Sequence, residues 1–563
     1  MQRVRTLFLI TTTLIIINQS YSQDARDRGL EAITKKAVKG QLEFLASDWT
    51  EGRHTGRPGI YMAADYIASL FQVYGLEAGG DSEWNYPSRA ERMEGKRPSE
   101  YRSYFQNFDL IEYKTGDDHK FSLINSSAGG TSTIDFAYRT DFSVYASDVA
   151  VDIEMSVVFA GYGFTDEKSG YDDFKGVDVE GKIILILSRY PGHNDTTSKA
   201  YEAFKPADRN SRWMRYRART EKFAKLGVAA VIEVDPDRNV TESWADNIPF
   251  RYDSRDYEGD EPRASFYEYR MKRPGDKLAE SPTSVAISDR VLNKLLENTG
   301  IDLEAFAEDV KNSLKPASKE IEGKKVRIKT SVESRIIKVR NVVGVIPGKD
   351  TSEIIVVGGH YDHLGKHDGW IWNGADDNAS GTVGVMTIAK ACMATGQKPE
   401  KTIVFAAWTG EEKGLLGSEY FADFPYNDAK MALNLNYDMI SRDNRDDSLG
   451  VKCSMVYTKK YSILKELSDK HNEEYGLGLD INYRPSDRPR GGSDHTSFAN
   501  MDVPVFYFMA GFPPEYHQTG DHTSLVNWDK MVNIIKVGYL NIWELSNTEW
   551  GPDEATTGTE SGR

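Results

Sequence analysis

A chain of 563 residues is too long for one compact core and suits roughly two or three domains. Its 39% hydrophobic and 28% charged content is ordinary for a globular protein, and a net charge of −16 argues against a nucleic-acid backbone as partner, which would need a basic face. Only Cys392 and Cys453 are present, so disulfides do not build the fold.

In chain order, residues 1–22 read as a secretory signal. Arg3 and Arg5 give a basic start, Leu7 to Ile17 an apolar stretch, and Ser20-Tyr21-Ser22 a small-x-small cleavage site before Gln23. The apolar part is short for a membrane span and no later segment approaches that length. The expected mature chain is exported, periplasmic or secreted, without stable membrane insertion. Residues 23–148 read as the N-terminal part of a catalytic domain. Within them, Lys39 to Gly80 suggests two helices around a Gly-rich turn, with Ile60, Ala63, Ala64, Ile67, Leu70, Phe71 and Tyr74 on one face and Gly75 as a stop. His54, in the turn, reads as a surface or capping residue. Trp84 to Arg102 reads as an excursion loop and Phe105 to Tyr113 as a strand.

Residues 149–290 change character. Strand-like runs at Val157–Phe159, Lys182–Ile186 and Val228–Ile232 surround a helix near Trp213 to Leu226, and no His-carboxylate cluster occurs among them. This segment reads as a β-rich insert without chemistry of its own. Arg251 to Arg270 reads as a solvated loop, with a substrate-cleft lining as the alternative. From 291 to 550 short apolar runs return at Val342–Ile346, Ile354–Val357, Ile403–Ala407, Leu433–Leu435 and Val503–Met509. Helical segments at Thr382–Thr395, Ser462–Glu474 and Val526–Leu545 are interspersed with them. Such alternation implies a doubly wound α/β fold, with a mixed, mainly parallel sheet and flanking helices. Residues 551–563 read as a polar, disordered tail.

The chemistry gathers where those strands end. Seven of the ten histidines lie between His360 and His522, among dense carboxylates. Singly each has a plain structural explanation: His360 as a core histidine, Asp376 and Asp377 as a turn, Glu411 and Glu412 as helix-start charges. Together, at the carboxyl edge of a predicted sheet, they suit a metal such as zinc, which takes His nitrogen and carboxylate oxygen.

The ordered motifs resemble the co-catalytic di-zinc aminopeptidase family, which includes glutamate carboxypeptidase II-like metallopeptidases. The matching pieces are Gly359-His360-Tyr361-Asp362, Gly374-Ala375-Asp376-Asp377-Asn378-Ala379-Ser380-Gly381, Glu411-Glu412-Lys413-Gly414, Asn436-Tyr437-Asp438-Met439, Gly492-Ser493-Asp494-His495 and Tyr516-His517. Leu45 to Gly80, with Glu51-Gly52-Arg53, resembles the same family's N-terminal region, and Val149 to Asp289 its protease-associated insert. The resemblance implies two Zn²⁺ per chain. His360 and Asp438 would hold one zinc, Glu412 and His517 the other, and Asp376 would bridge them across a cis Asp376-Asp377 peptide. Glu411 would be the general base and Asp362 the partner that fixes His360. His522 is the alternative to His517, because the Thr after His517 falls one place later than in relatives. The reading is an exported zinc-dependent exopeptidase, an aminopeptidase acting on peptides. Its alternatives are a glutamate carboxypeptidase-like activity, with Arg488 and Arg490 as candidates for an acidic side chain, a single-zinc glutaminyl cyclase, and a non-catalytic receptor-like module.

Overall fold

The structure, a computed structural model, describes residues 25–553 except 128, 139, 145–146, 207–208, 235–268 and 368–369. The expected signal, nearly all of the Arg251 to Arg270 loop and the tail beyond 553 lie outside the described residues. The described residues divide into two compact units, one comprising those of 25–109 and 337–553 and the other those of 110–336.

The first unit is built on seven strands of a ten-stranded sheet. These are β1 (Val332–Ile346), β2 (Asp350–His360), β3 (Lys401–Trp408), β4 (Lys430–Tyr437), β5 (Lys452–Thr458), β6 (Asp480–Ser486) and β7 (Val505–Met509). They lie in the order β1-β3-β2-β4-β7-β5-β6. The neighbours β3, β2, β4 and β7 are mutually parallel, while β1 and β5 run antiparallel to β3 and β7. Their carboxyl ends therefore open on one edge.

Seven helices matter here: α1 (Lys35–Leu45), α2 (Pro58–Tyr74), α3 (Gly381–Ala394), α4 (Leu416–Asp423), α5 (Ile463–Glu474), α6 (His495–Asn500) and α7 (Trp528–Asn547). Alternate strand residues feed two cores. Ile355, Val357, Ile403, Phe405, Leu433 and Leu435 pack with α1, α2, α3, α5 and α7, whereas Ile354, Val356, Val404 and Ala406 pack with Phe421 of α4 and Phe498 of α6. A sheet buried on both faces explains why these strands read as continuous apolar runs. Helix α2 starts at Pro58 and stops at Gly75, whose φ of 90° is the left-handed conformation that glycine supplies. Trp84 to Arg102 is more regular than the expected loop. Ser82–Asn85 and Ser99–Arg102 pair as a hairpin, and a capping box at Ser88 and Glu91 starts a short helix between them.

The second unit carries an eight-stranded sheet. Asp152–Phe159, Ile183–Leu187, Ala230–Val234 and Thr283–Ile287 are parallel at its centre. Lys319–Lys329 and Lys120–Ser127 join them by antiparallel pairing. The unit is therefore wider than the expected 149–290: the strands that close its sheet come from sequence on both sides. Its core includes Phe159, Leu185, Ile232, Val285 and Val326.

Candidate metal centre

The parallel strands deliver their chemistry to a single edge. β2 ends at His360, β3 leads into Glu411 and Glu412, β4 is followed by Asp438, and the chain leaving β7 reaches His517. The segment Ala375–Ser380, between β2 and α3, supplies Asp377. All but the half-buried Glu411 and Glu412 are buried.

Asp377 stands between two groups. Its Oδ1 is 3.5 Å from His360 Nε2, which lies 3.4 Å from Asp438 Oδ1. Its Oδ2 is 2.9 Å from His517 Nε2, which lies 3.4 Å from Glu412 Oε2. His363 joins the second group, with Nδ1 3.0 Å from Glu412 Oε1 and 3.8 Å from Asp377 Oδ2. Glu411 Oε2 is 3.9 Å from His360 Nε2, at the side of the first group.

The carboxylate that stands between the two groups is thus Asp377, one residue along from the expected Asp376. Asp376 turns the other way: its Oδ1 accepts from Ser441 N at 2.9 Å and Ser441 Oγ at 2.8 Å. The cis peptide is likewise Asp377-Asn378, not Asp376-Asp377. Adjacent side chains leave this non-helical turn in different directions, and the sequence motif alone does not say which points at the strand ends.

Asp362 is buried where expected, but its carboxylate mainly orders the glutamate pair. Oδ1 accepts from Glu411 N at 3.1 Å, and Oδ2 from Glu412 N at 3.3 Å and Thr55 Oγ1 at 3.1 Å. His360 Nδ1 lies nearer the Asp362 backbone carbonyl, at 3.2 Å, than its carboxylate, at 3.6 Å. His522 is exposed while His517 is buried beside Asp377, which separates those two candidates. Arg488 and Arg490 are exposed. His54 makes a backbone bridge to His363, and its Nδ1 lies 2.9 Å from the Thr55 carbonyl.

Three supporting residues carry no role in the sequence reading. His363 follows Asp362 directly, yet nothing in the spacing says that its ring returns to Glu412. Asp521, four residues after His517, accepts from Asp376 N and Asp377 N at 3.1 Å and so pins the loop that presents Asp377. Arg53 is fully buried and donates to the carbonyls of Leu45, Tyr361, Asn373 and Gly374. Arg53 closes a polar, Gly-containing turn, where an arginine reads as exposed, so the sequence carries no signal of its burial.

The electrostatics favour positive charge at this spot. Burial alone would lower the His360 pKa, but the Glu411 and Asp438 carboxylates hold it well above 6.5. His517 likewise stays well above 6.5 against burial, through Glu412 and Asp377. Burial drives Glu411 well above the usual carboxylate range, while His517 and His363 overcome burial to hold Glu412 well below it. Burial, with Asp521 beside it, raises Asp376 to about 8.

The donor atoms also fit metals geometrically. Zinc bonds of about 2.0–2.1 Å in a tetrahedral site place neighbouring ligand atoms roughly 3.3 Å apart. The separations of 3.5 and 3.4 Å around His360 and of 2.9 and 3.4 Å around His517 bracket that spacing. His360 Nε2 and Asp438 Oδ1 are buried without a hydrogen bond, as lone pairs directed at a shared cation would be.

Residues 341–539 match the model of peptidase family M28. Leucine aminopeptidase 2 from Arthroderma otae is 32% identical over 178 residues, 30% of this chain and 33% of that protein. A glutamate carboxypeptidase 2 homolog from Caenorhabditis elegans is 30% identical over 213 residues, 33% of this chain and 26% of that protein. The chain thus spans about a quarter to two fifths of the length of the curated relatives it matches. An aminopeptidase from Aneurinibacillus sp. strain AM-1 has 17% identity and a TM-score of 0.55, covering 93% of this chain and 97% of that one, a likeness that shows the fold alone.

Proposed function

From the premise that residues 341–539 belong to peptidase family M28, we propose that this chain is a two-zinc exopeptidase, an aminopeptidase releasing N-terminal residues from peptides. The observation that carries the reading is Asp377, with one oxygen toward His360 and Asp438 and the other toward His517 and Glu412. His360, Asp377 and Asp438 would hold one cation, and Asp377, Glu412 and His517 the other. Two Zn²⁺ there supply Lewis acidity, lowering the pKa of water and polarising a carbonyl.

The chain's own residues do the remaining work. Glu411, whose burial makes its carboxylate a stronger base than an exposed one, takes the water proton at Oε2 and returns it to the leaving amine. Asp362 holds the Glu411 and Glu412 backbone N–H groups, so base and ligand face the site together. Asp521 does the same for Asp377.

Hydrolysis of paired peptides tests the reading. A C-terminally blocked peptide with a free amino terminus should be cleaved, and an N-terminally blocked one with a free carboxylate should not. The reverse pattern would establish a carboxypeptidase. Export belongs to the same proposal: mass spectrometry of natively expressed protein should show a chain starting near Gln23, and an intact Met1 would contradict it.

A further inference from the structure

His363 lies in the site without being needed by either half of the ligand set above. Its ring is held in one orientation. The His363 backbone N–H donates to the Arg53 carbonyl at 3.1 Å, so the buried Arg53 anchors the strand end that carries it. The ring lies against Gly374, where a Cβ would come within 2.5 Å of His363 Cδ2. Only glycine leaves room for that approach, and Gly374 has a φ of 57° besides. The imidazole so placed has Nδ1 3.0 Å from Glu412 Oε1, an ordinary N–H···O length. The other Glu412 oxygen, Oε2, faces His517 Nε2 at 3.4 Å.

We propose that His363 is a positioning residue for Glu412: its Nδ1–H binds Oε1 and leaves Oε2 alone to face the cation shared with His517 and Asp377. This deepens the two-metal reading and rests on it. A carboxylate otherwise has two equivalent oxygens and a free torsion, and can swing between one-oxygen and two-oxygen contact. Fixing one oxygen fixes the contact mode and gives the second metal position a stiffer ligand set. In the first position Asp438 is held by a different group, the Ser493 side chain. Only the second position should therefore depend on His363.

The test is zinc titration of the full chain, stripped by chelation, in the wild type and in His363→Leu and His363→Asn. Asparagine places its amide N–H close to where imidazole Nδ1–H stands, whereas leucine keeps bulk without a donor. Wild type should bind two equivalents. His363→Leu should weaken one class about 10–100-fold, the usual effect of losing a hydrogen bond to a metal ligand, with the other class unchanged. His363→Asn should restore most of that loss. X-ray absorption at the zinc edge, on wild type alone, should count two imidazoles per two zincs. Three imidazoles would make His363 a ligand and overturn the positioning role, as would equal affinities in wild type and His363→Leu. A wild type that binds fewer than two equivalents would instead bring down the two-metal reading itself. The absorption measurement needs no variant, so a misfolded mutant does not rescue the idea.

Discussion

Arg53→Met is the substitution whose cost the structure sets most clearly. The guanidinium is fully buried and its donors meet four backbone carbonyls: Tyr361 at 2.8 Å, Leu45 at 2.5 Å, Asn373 at 2.6 Å and Gly374 at 2.9 Å. Methionine fills much of the volume and satisfies none of them. A buried polar group left without a partner costs about 1–3 kcal/mol, so four carbonyls set a gross penalty of roughly 4–12 kcal/mol. Two effects reduce it. Burying the charge is itself unfavourable, as the fall of the Arg53 pKa to about 10 by desolvation records, and some carbonyls will relax or recruit water. A net loss of about 3–6 kcal/mol is expected. At about 2–4 °C per kcal/mol for a large unit, the melting temperature should fall by roughly 6–24 °C. Differential scanning calorimetry is the appropriate assay, because two units can melt separately and a single two-state fit would blur them. Asn373 and Gly374 immediately precede the segment carrying Asp377, so zinc affinity should fall in parallel. A decrease below about 3 °C with metal binding intact would refute the claim that Arg53 holds these segments together.

Asp377→Asn should lose both metals, whereas Asp376→Asn, whose amide oxygen can still accept from Ser441, should keep them and lose at most about 1–3 kcal/mol of stability; elemental analysis of the two purified variants decides between the registers. Glu411→Gln should retain metal and lower kcat roughly 10²–10⁴-fold with little change in KM, while Glu412→Gln should lose one zinc and regain activity in excess zinc. If instead Glu411→Gln stays fully active, its role as base is wrong. Away from the site, the His471 ring and Lys470 hold the Glu544 carboxyl down at about 2, below the ordinary glutamate range. A depressed carboxylate stabilises the fold above the unfolded pKa and loses that contribution as pH falls through the folded one. Glu544→Gln should therefore cost about 1–2 kcal/mol at pH 7, after discounting its partial exposure. Thermal melts from pH 7 down to pH 2 should show that gap closing below about pH 4.5, and a constant gap would contradict the linkage.

Much of this was legible in the sequence where burial imposed a pattern. The runs at Ile354–Val357 and Ile403–Ala407 mark β2 and β3 because both sheet faces are covered, and the α2 stripe runs from Pro58 to Gly75 as its spacing implies. β5 and β6 were not foreseen. β6 lies at the edge in the order above, contains Pro485 and is largely open to solvent, so neither alternation nor a long apolar run declares it. In the site, His360, Glu411, Glu412, Asp438 and His517 come together as the motifs imply. The choice between Asp376 and Asp377 depended on backbone dihedrals inside a turn, and the contributions of His363, Asp521 and Arg53 on contacts to distant sequence. No local spacing encodes either.

The central claim is that two cations, shared through Asp377, make this chain a peptidase. The direct measurement is zinc content and aminopeptide hydrolysis, followed together as the chelated full-length protein is titrated with zinc. Activity should be absent without metal and rise to its plateau as occupancy approaches two per chain. Full hydrolysis by protein holding no metal would contradict the account, and a plateau reached at one equivalent would contradict the sharing.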